Sequence, residues 1–482
     1  MASHGPSLMP GSISPELSRG HPLMFHFLGA LWIDLFGSSH LSMHSFPLFL
    51  SILFLIVLFE CCMQLFGHRE AVVALLLVST RVIFFVNSSF VYPEIMLALF
   101  AFLSLYCYSR DYFLLTAIML FMLFFTKEGG LLFGAVIGID AFVSLFRKNE
   151  SIGRRLTRSA AVLVPVCLIG LFFVLQKATL GWYILTEHAN MIQPNWNSYY
   201  LMFKTGLYWT FRGDHAMYVL VCFIIMLSVI PTVKFKNIRY LFLIPPAIVV
   251  YAQAQMTATG VQGSVVWMAF FILLFTIPVH YLLQLRRTLN ASAQKFIMLM
   301  SICVVIFVLY SSLTQIAYRY MIVCIVFTMV FLAVCITTFI ATEIKPVFYM
   351  AICGILLIGA YGFYSNDRAE DTQLGAFGTM NIELHEFSYL EKEHAYDKDI
   401  AFACTWELLR LTDTTQGFLS SSRTFTHLHR FPVTPATEYA MFGNCCDCDP
   451  GDYQRMIKDT SFHRVFAMKD RRMWVEIYKR NR

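Results

Sequence analysis

Residues 46–66 read FPLFLSILFLIVLFECCMQLF and contain a single charged side chain, Glu60. About 20 consecutive apolar residues form a helix roughly 30 Å long, which matches the hydrocarbon core of a bilayer. A helix forms hydrogen bonds between its own backbone N–H and C=O groups, whereas an irregular segment in lipid leaves such groups without partners. The stretch therefore predicts a membrane-spanning helix.

The composition of the whole chain supports a membrane protein. Of its 482 residues, 58% are hydrophobic and 14% are charged, and the mean hydropathy is +0.63. A soluble protein of this length would need far more polar side chains to cover its surface. The net charge of +6 is mild and lies mainly in short loops, which argues against a nucleic-acid partner.

Apolar runs of similar character recur and predict an all-α polytopic membrane protein with about twelve transmembrane helices. These runs lie at 46–66, 71–86, 90–108, 112–126, 129–146, 159–175, 216–233, 240–256, 264–285, 296–313, 320–342 and 347–363. Residues 22–36 are aromatic and amphipathic but short, so they predict a helix that lies in the membrane interface.

The chain changes character after residue 364, where charged residues become frequent and apolar runs shorten. This predicts a small soluble α/β or α+β domain, with a helix over 381–395 and strands over 399–403, 464–468 and 474–478. The predicted organisation is an outer N-terminal segment at 1–45, a transmembrane domain at 46–364 and a soluble domain at 365–482.

Basic side chains concentrate in the short loops at 147–158, 234–239 and 286–295. The positive-inside rule makes these loops cytoplasmic, so the N-terminal segment and the soluble domain lie outside. We expect a bacterial inner membrane protein with a periplasmic C-terminal domain. An outer N-terminus without a signal peptide suggests that one more helix precedes Met1.

Two candidate site residues begin predicted helices on the outer side. His21 stands beside Pro22 at a helix start, where it could hold an anion, or it could be an ordinary histidine at the interface. Glu94 follows Pro93 at the start of a span. A carboxylate there either works in a site or simply complements the helix dipole.

Three cations are further candidates. Arg81 lies in the middle of a predicted span, where it needs a wet cavity, a substrate or a structural ion-pair partner. Lys127, followed by Glu128, lies in an outer turn, and the two residues alone favour a solvated pair. Arg319 lies between two tyrosines at the outer end of a span, and it either reaches lipid headgroups or binds a phosphate.

Four of the 13 cysteines lie in polar sequence on the predicted outer side: Cys404, Cys445, Cys446 and Cys448. Oxidising conditions there favour disulfides. A zinc site would need ligand pairs on two hairpins, and the sequence has one cluster, so a disulfide is the better prediction.

Together these features resemble the GT-C glycosyltransferases, in the branch of protein mannosyltransferases and lipid A aminoarabinose transferases. The resemblance covers about Gly20–Asp140, where a Gly-His-Pro segment at 20–22 leads to Leu-Phe-Gly at 35–37. Glu94 opens an outer helix, and a Thr-Lys-x-x-Gly turn follows at 126–130. An Arg-Tyr pair at 319–320 also matches the family, as does the C-terminal domain.

The resemblance implies an inverting transfer of a sugar from a polyprenyl-phosphate donor to a glycan, lipid or protein acceptor on the outer side. His21, Lys127 and Arg319 would bind the donor, and Glu94 would assist catalysis. Arg81 is a further substrate-binding candidate because of its position within a predicted span. The family's main general base lies after a first span that would precede Met1, so we expect the chain as it stands to lack this base. A divalent metal is compatible with the family, but no residue pattern supports one.

Two alternatives come from other classes of protein. A secondary transporter would explain Arg81 and Asp140 as intramembrane charges, although the sequence shows no paired halves with matching broken helices. An O-antigen polymerase or ligase also has a long outer loop with arginine and histidine, such as 177–215 here.

Overall fold

The computed structural model describes residues 5–13, 18, 20–147, 150–183, 195–212, 289–313, 317–339, 345–365, 373–403, 405–414, 417–444, 449–470 and 473–481. The chain divides into two compact units, Met1–Ala360 and Tyr361–Arg482. The predicted domain limits at 45 and 364 stay predictions.

The described part of the first unit is helical. Its elements are α1 (Met24–Phe36), α2 (His40–Leu65), α3 (His68–Ser79), α4 (Val82–Asn87), α5 (Glu94–Ser109), α6 (Phe113–Thr126), α7 (Gly130–Ser144), α8 (Ile152–Leu180), α9 (Trp196–Arg212), α10 (Ala291–Ser311), a 3-10 turn (Tyr318–Met321), α11 (Ile322–Phe339) and α12 (Lys345–Ser365).

Polar residues in the loops set several helix ends. The side chains of Ser39, Ser151 and Asn290 accept hydrogen bonds from backbone N–H groups in the first turns of α2, α8 and α10. These contacts satisfy donors that have no partner inside the helix. Gly181 ends α8 in the left-handed conformation, with φ of 85°, which costs a glycine little.

Helix α5 is the central helix of the first unit, because almost every one of its residues is buried. It packs against α2, α6, α7, α10 and α11. The ring of Phe102 lies 5.9 Å from that of Phe54, 5.3 Å from that of Phe296 and 6.5 Å from that of Phe327, measured between centroids. Such close aromatic packing holds α5 in place, and it thereby positions Glu94, the first residue of the helix.

Four helices among the described residues are long and apolar enough to cross a membrane: Leu41–Leu65, Ile152–Leu180, Ala291–Ser311 and Tyr318–Thr337. Shorter apolar helices lie at Met24–Phe36, Glu94–Ser109, Phe113–Thr126, Gly130–Ser144 and Ile352–Phe363. The predicted spans within 216–285 fall outside the described residues. The total of about twelve spans therefore stays a prediction.

Two predicted helix limits in the first unit are wrong. The run at 71–86 is not one continuous span, because the chain breaks at Arg81, whose backbone is extended. At the end of α3 the N–H and the hydroxyl of Thr80 both donate to the carbonyl of Leu76, at 3.1 and 2.7 Å. The interfacial helix begins at Met24, so Pro22 precedes the helix instead of occupying its first position.

The second unit contains a five-stranded mixed sheet in the order β2-β1-β3-β5-β4. Its elements are α13 (Gly375–Lys392), a 3-10 turn (Ala395–Asp397), β1 (Asp399–Phe402), α14 (Thr405–Thr412), β2 (His427–Arg430), β3 (Tyr439–Gly443), α15 (Pro450–Lys458), β4 (Phe462–Asp470) and β5 (Met473–Arg480). Strand β1 runs parallel to β2 and β3, and β5 runs antiparallel to β3 and β4.

Alternating residues of the central strands face the two sides of the sheet. Ile400 and Met441 pack with Phe387 of α13, and Ala440 and Phe442 pack with the α15 side. This alternation follows from the two-residue period of a strand. The predicted sheet domain is confirmed, and the three predicted strands are present, each with different limits. The sequence did not predict β2, β3, α14 and α15.

Candidate functional site

Glu94 and Lys127 form a buried ion pair at the ends of two neighbouring helices. Glu94 begins α5, and Lys127 follows the last residue of α6. Lys127 Nζ lies 3.1 Å from Glu94 Oε1, and the two side chains are 10% and 1% exposed. Burial lowers the pKa of Lys127, but Glu94, Tyr320 and Glu128 together more than offset this, so that pKa is raised. Lys127 is therefore cationic. Its predicted solvation in an outer turn is wrong.

Arg319 approaches the same carboxylate from the 3-10 turn before α11. Its Nε lies 3.7 Å from Glu94 Oε1. The guanidinium also lies 4.5 Å from the ring centroid of Tyr92 and 5.2 Å from that of Tyr320, and Lys127 Nζ is 3.6 Å from the latter ring. Aromatic faces attract cations, so the rings help to keep both charges in place.

His21 pairs with the neighbour of Lys127. Its Nδ1 lies 2.7 Å from Glu128 Oε2. Burial raises the pKa of Glu128, but the hydrogen bond from His21 and the charges of His21 and Lys127 lower it to about 2. Glu128 is therefore an anion at neutral pH and can only accept, so the Nδ1–H of His21 donates.

The five side chains form one group, which we call the charge cluster: His21, Glu94, Lys127, Glu128 and Arg319. Lys127 and Glu128 are adjacent in the chain and interact electrostatically, which joins the two ion pairs. Two permanent cations, Lys127 and Arg319, and the imidazole of His21 face the two carboxylates. Such a group can hold a monoanion at modest cost in charge burial.

One carboxylate oxygen of Glu94 is available for a bound molecule. Its Oε1 faces both Lys127 and Arg319, whereas its buried Oε2 has no hydrogen-bond partner among the residues that the structure describes. A buried acceptor without a partner is costly, so this oxygen is suited to receive a hydroxyl from a bound molecule.

Arg81 lies at the break between α3 and α4, where it is almost fully buried. Its Nε donates to the carbonyl of Leu77 at 3.1 Å, and its guanidinium approaches the Thr80 hydroxyl at 3.5 Å. The Arg81 side chain thus donates a hydrogen bond to a backbone carbonyl near the end of α3. Its role in substrate binding stays a prediction.

The sequence did not single out Glu128, Tyr92 or Tyr320 as parts of the site. The signal for Glu128 was its position directly after Lys127 in a turn between apolar helices, where a carboxylate needs a partner. Its partner lies 107 residues away, however, and spacing along the chain does not show such a pair.

A second group of charges gathers at the other ends of these helices. Asp111 lies 2.6 Å from Arg154 and 3.3 Å from Arg158, and Asp140 lies 3.0 Å from Arg147 and 3.6 Å from Lys295. Five of these six residues come from hairpins predicted to be cytoplasmic, and Asp140 lies in the predicted span at 129–146; the charge cluster comes from segments predicted to lie outside. The packing therefore groups the residues as the predicted topology does.

No group of histidine, cysteine and carboxylate side chains within the described ranges is arranged to hold a metal ion. The four cysteines for which we predicted disulfides, at 404, 445, 446 and 448, fall outside the described residues. Parts of the loop at 177–215 do so as well.

Residues 20–175 match the family model of dolichyl-phosphate-mannose-protein mannosyltransferases. The resemblance to GT-C glycosyltransferases is confirmed. The matched segment is about a third of the chain and contains four members of the charge cluster, and Arg319 lies beyond it. The match supports a membrane glycosyltransferase of the GT-C type, and the apolar helices support an integral membrane protein.

Two crystal structures of ArnT from Cupriavidus metallidurans are similar to the chain, one bound to undecaprenyl phosphate and one in the apo state. Both share 14% sequence identity with it. The first alignment covers 95% of this chain and 88% of ArnT with a TM-score of 0.37, and the second covers 95% and 87% with a TM-score of 0.35. No curated protein sequence matches the chain.

Proposed function

We propose that this protein is a membrane glycosyltransferase that moves a sugar from a polyprenyl-phosphate donor to an acceptor on the outer side of the membrane, with inversion at the anomeric carbon. The observation that carries the proposal is the charge cluster, in which Lys127 and Arg319 lie against the buried Glu94 and His21 lies against Glu128. Four of its five members lie in the segment that matches the mannosyltransferase family.

The cations of the cluster suit the donor. A polyprenyl-phosphate sugar is a phosphodiester with one negative charge, and its lipid tail stays in the bilayer beside the apolar helices. During transfer the phosphate departs with the bonding electrons and gains a second negative charge. Lys127, Arg319 and His21 are held at fixed positions, so they can stabilise this charge without rearranging.

Glu94 has a different role in the proposed reaction. Its Oε1 is held by Lys127, and its Oε2 is the unpartnered acceptor described above. We assign Oε2 to the hydroxyl of the acceptor, which it would orient for attack on the anomeric carbon opposite the phosphate. Glu94 thereby assists the general base. The acceptor is a glycan, a lipid or a protein.

The location follows from the charge distribution. We place the protein in a bacterial inner membrane, with the charge cluster and the sheet domain on the periplasmic side, because the basic loops are predicted to be cytoplasmic.

The test has two readouts for the full chain in proteoliposomes. The first is binding of a radiolabelled polyprenyl-phosphate sugar, which needs no general base, and the second is transfer of the sugar to an extract of envelope glycans, lipids and proteins. His21→Ala should lower the rate by about 100-fold, because one hydrogen-bond donor to the leaving phosphate is lost. His68→Ala is the matched control, since His68 lies in a hairpin predicted to be cytoplasmic and packs on Phe59.

An unchanged rate in His21→Ala would remove His21 from the site. An equal loss in both variants would indicate a general effect on folding. Uptake of a solute by the same proteoliposomes without any sugar transfer would favour a secondary transporter.

A further inference from the structure

Three arginines lie where α7 ends and α8 begins, at the other ends of the helices from the charge cluster. We call Arg147, Arg154 and Arg155 the basic face. Arg147 lies 3.0 Å from Asp140 and Arg154 lies 2.6 Å from Asp111, and both arginine side chains are about half exposed. Each of these two arginines therefore has a carboxylate partner and also remains accessible to a molecule outside the chain.

Arg155 differs from the other two arginines of the basic face, because it has no carboxylate partner among the residues that the structure describes. Its Nη1 donates to the backbone carbonyl of Leu145 at 2.6 Å, which holds the guanidinium against the end of α7. A carbonyl is a neutral acceptor, and an arginine is always charged. The contact therefore places the guanidinium but does not balance its charge.

The neighbouring side chains do not supply the missing negative charge. Four arginines of this hairpin meet three carboxylates within the described part of the chain, and Lys295 approaches two of the same carboxylates at 3.9 and 3.6 Å. The arginines are Arg147, Arg154, Arg155 and Arg158, and the carboxylates are Asp111, Asp140 and Glu150. Positive charge is therefore in excess at the junction of α7 and α8.

The direction of α8 increases this excess. Arg154 and Arg155 are in the first turn of α8, which contains no acidic residue. The N-terminus of a helix carries a partial positive charge of about half an elementary charge, so anions stabilise it and cations do not. Two arginines at this position cost stability unless an anion from outside the chain lies beside them.

Apolar side chains beside the basic face indicate the kind of anion. Phe142 and Phe146 of α7 are 61% and 70% exposed, and Leu156 of α8 is 58% exposed. Phe146 precedes Arg147 in the chain and Leu156 follows Arg155, so apolar and basic side chains meet at this junction. In an integral membrane protein, exposed apolar side chains contact acyl chains and arginines extend toward the headgroups. The junction therefore matches a molecule with an anionic head and an apolar tail.

We propose that the basic face binds the headgroup of one anionic phospholipid, with the phosphodiester at Arg154 and Arg155 and the acyl chains along Phe142 and Phe146. Guanidinium groups bind phosphate oxygens through paired N–H donors. Anionic lipids of the cytoplasmic leaflet are attracted to basic residues beside membrane helices, and this hairpin is predicted to be cytoplasmic. The site is separate from the charge cluster, and the inference does not depend on the proposed function.

A signal for membrane orientation is the competing explanation, because basic loops also determine topology. That role depends on the number of charges in a loop and not on their folded arrangement. Diffuse attraction to an anionic bilayer would likewise treat all the basic loops alike. A discrete site instead saturates at one lipid and depends on particular arginines.

The experiment measures binding of phosphatidylglycerol to the purified full chain in a neutral detergent, by native mass spectrometry. The native protein should bind one phosphatidylglycerol at saturation. Phosphatidylcholine has the same phosphodiester with a compensating cation, so it should bind about tenfold more weakly or less. Arg155→Gln should weaken binding of phosphatidylglycerol about fivefold, and Arg154→Gln together with Arg155→Gln about 25-fold, as expected for one and two basic side chains at an anionic lipid.

Two variants serve as controls. Lys234→Gln with Lys236→Gln removes two charges from another loop predicted to be cytoplasmic, and it should leave the affinity within about twofold. Arg155→Gln tests the site without disturbing an ion pair, because Arg155 has no carboxylate partner in the described ranges. Its melting temperature without lipid should match that of the native protein, which separates loss of binding from loss of folding.

A further arm distinguishes a lipid from a soluble phosphodiester. Glycerophosphoglycerol, the headgroup of phosphatidylglycerol without acyl chains, should compete only at about 100-fold higher concentration or more, since it buries no apolar surface. Phe146→Ser should weaken binding of the lipid and leave binding of glycerophosphoglycerol unchanged. If the free headgroup binds as tightly as the lipid, the ligand is a soluble phosphodiester and the lipid site is refuted.

Equal weakening by the lysine pair and the arginine pair would overturn the inference in favour of diffuse attraction. Binding that does not saturate at one lipid, or equal affinity for phosphatidylcholine, would also overturn it. These measurements use neither the sugar donor nor sugar transfer, so their failure is distinguishable from failure of the proposed function.

Discussion

Replacement of Lys127 breaks its ion pair with Glu94 and tests how much that pair contributes to the stability of the site. In Lys127→Met the side chain keeps much of its length and loses its charge, so Glu94 remains buried with Arg319 as its remaining cation. Glu94 is 1% exposed and cannot recover the lost interaction from water. We expect a large loss of stability in addition to loss of donor binding.

The magnitude follows from the distances. At 3.1 Å, and with an effective dielectric constant of about 20, the attraction between Lys127 and Glu94 is roughly 5 kcal/mol. Breaking a buried pair by removing one partner typically costs about 3–5 kcal/mol. Arg319 lies 3.7 Å from the same oxygen and keeps part of the compensation, so we expect about 3 kcal/mol for Lys127→Met.

The assay is a double-mutant cycle on the free energy of unfolding in mixed detergent micelles, with Lys127→Met, Glu94→Gln and the double variant. The coupling energy between Lys127 and Glu94 should be about 3 kcal/mol. Arg147 and Asp140 provide the matched control: their atoms are 3.0 Å apart, but the Arg147 side chain is 45% exposed. Water screens such a pair, so its coupling should stay below about 1 kcal/mol.

Equal coupling energies in the two cycles would refute the reasoning, because the argument depends on burial and not on distance. Additive effects of Lys127→Met and Glu94→Gln would likewise show that the two side chains are not paired in the membrane.

Three further predictions concern packing and pH. Gly134→Ala should destabilise the protein by about 1–3 kcal/mol, because the new methyl would lie 2.2 Å from the buried ring of Phe124; Gly170→Ala, with no atom within 4 Å, should change the melting temperature little. In the sheet domain, burial and the charge of Glu407 raise the pKa of Glu386 well above its usual value, so its contribution to stability is lost as pH rises and Glu386→Gln should make unfolding less sensitive to high pH. Burial raises the pKa of Glu391, but hydrogen bonds from Ser420 lower it overall, so Glu391→Gln should cost stability at neutral pH and little in acid; chemical denaturation from pH 4 to 9 measures both.

Much of the fold was predictable from composition because membrane burial depends on the sum of many side chains. The apolar run at 46–66 predicted a helix of spanning length, and the structure has one over Leu41–Leu65. The sheet domain was also predictable in outline, since alternating strands such as 474–478 have a local signal. Strand β3 was missed because its five residues are all buried, so the alternation typical of a half-exposed strand is absent.

Local conflicts caused the errors in helix limits. The run at 71–86 is apolar enough to predict one helix, but Thr80 bonds to the backbone of α3 and Arg81 takes an extended conformation. Composition does not predict this break, because the break depends on the backbone conformation of a single residue.

The sequence by itself determined that the chain is a membrane protein of helices with a sheet domain, and it identified His21, Glu94, Lys127 and Arg319 as charges that need an explanation. Only the tertiary structure decided which of these charged side chains form ion pairs with each other. Charges far apart in the chain attract over a few ångströms in a medium of low dielectric constant, so their partners are set by how the helices pack. That packing placed Lys127 on Glu94, and it placed Glu128 beside His21, 107 residues away.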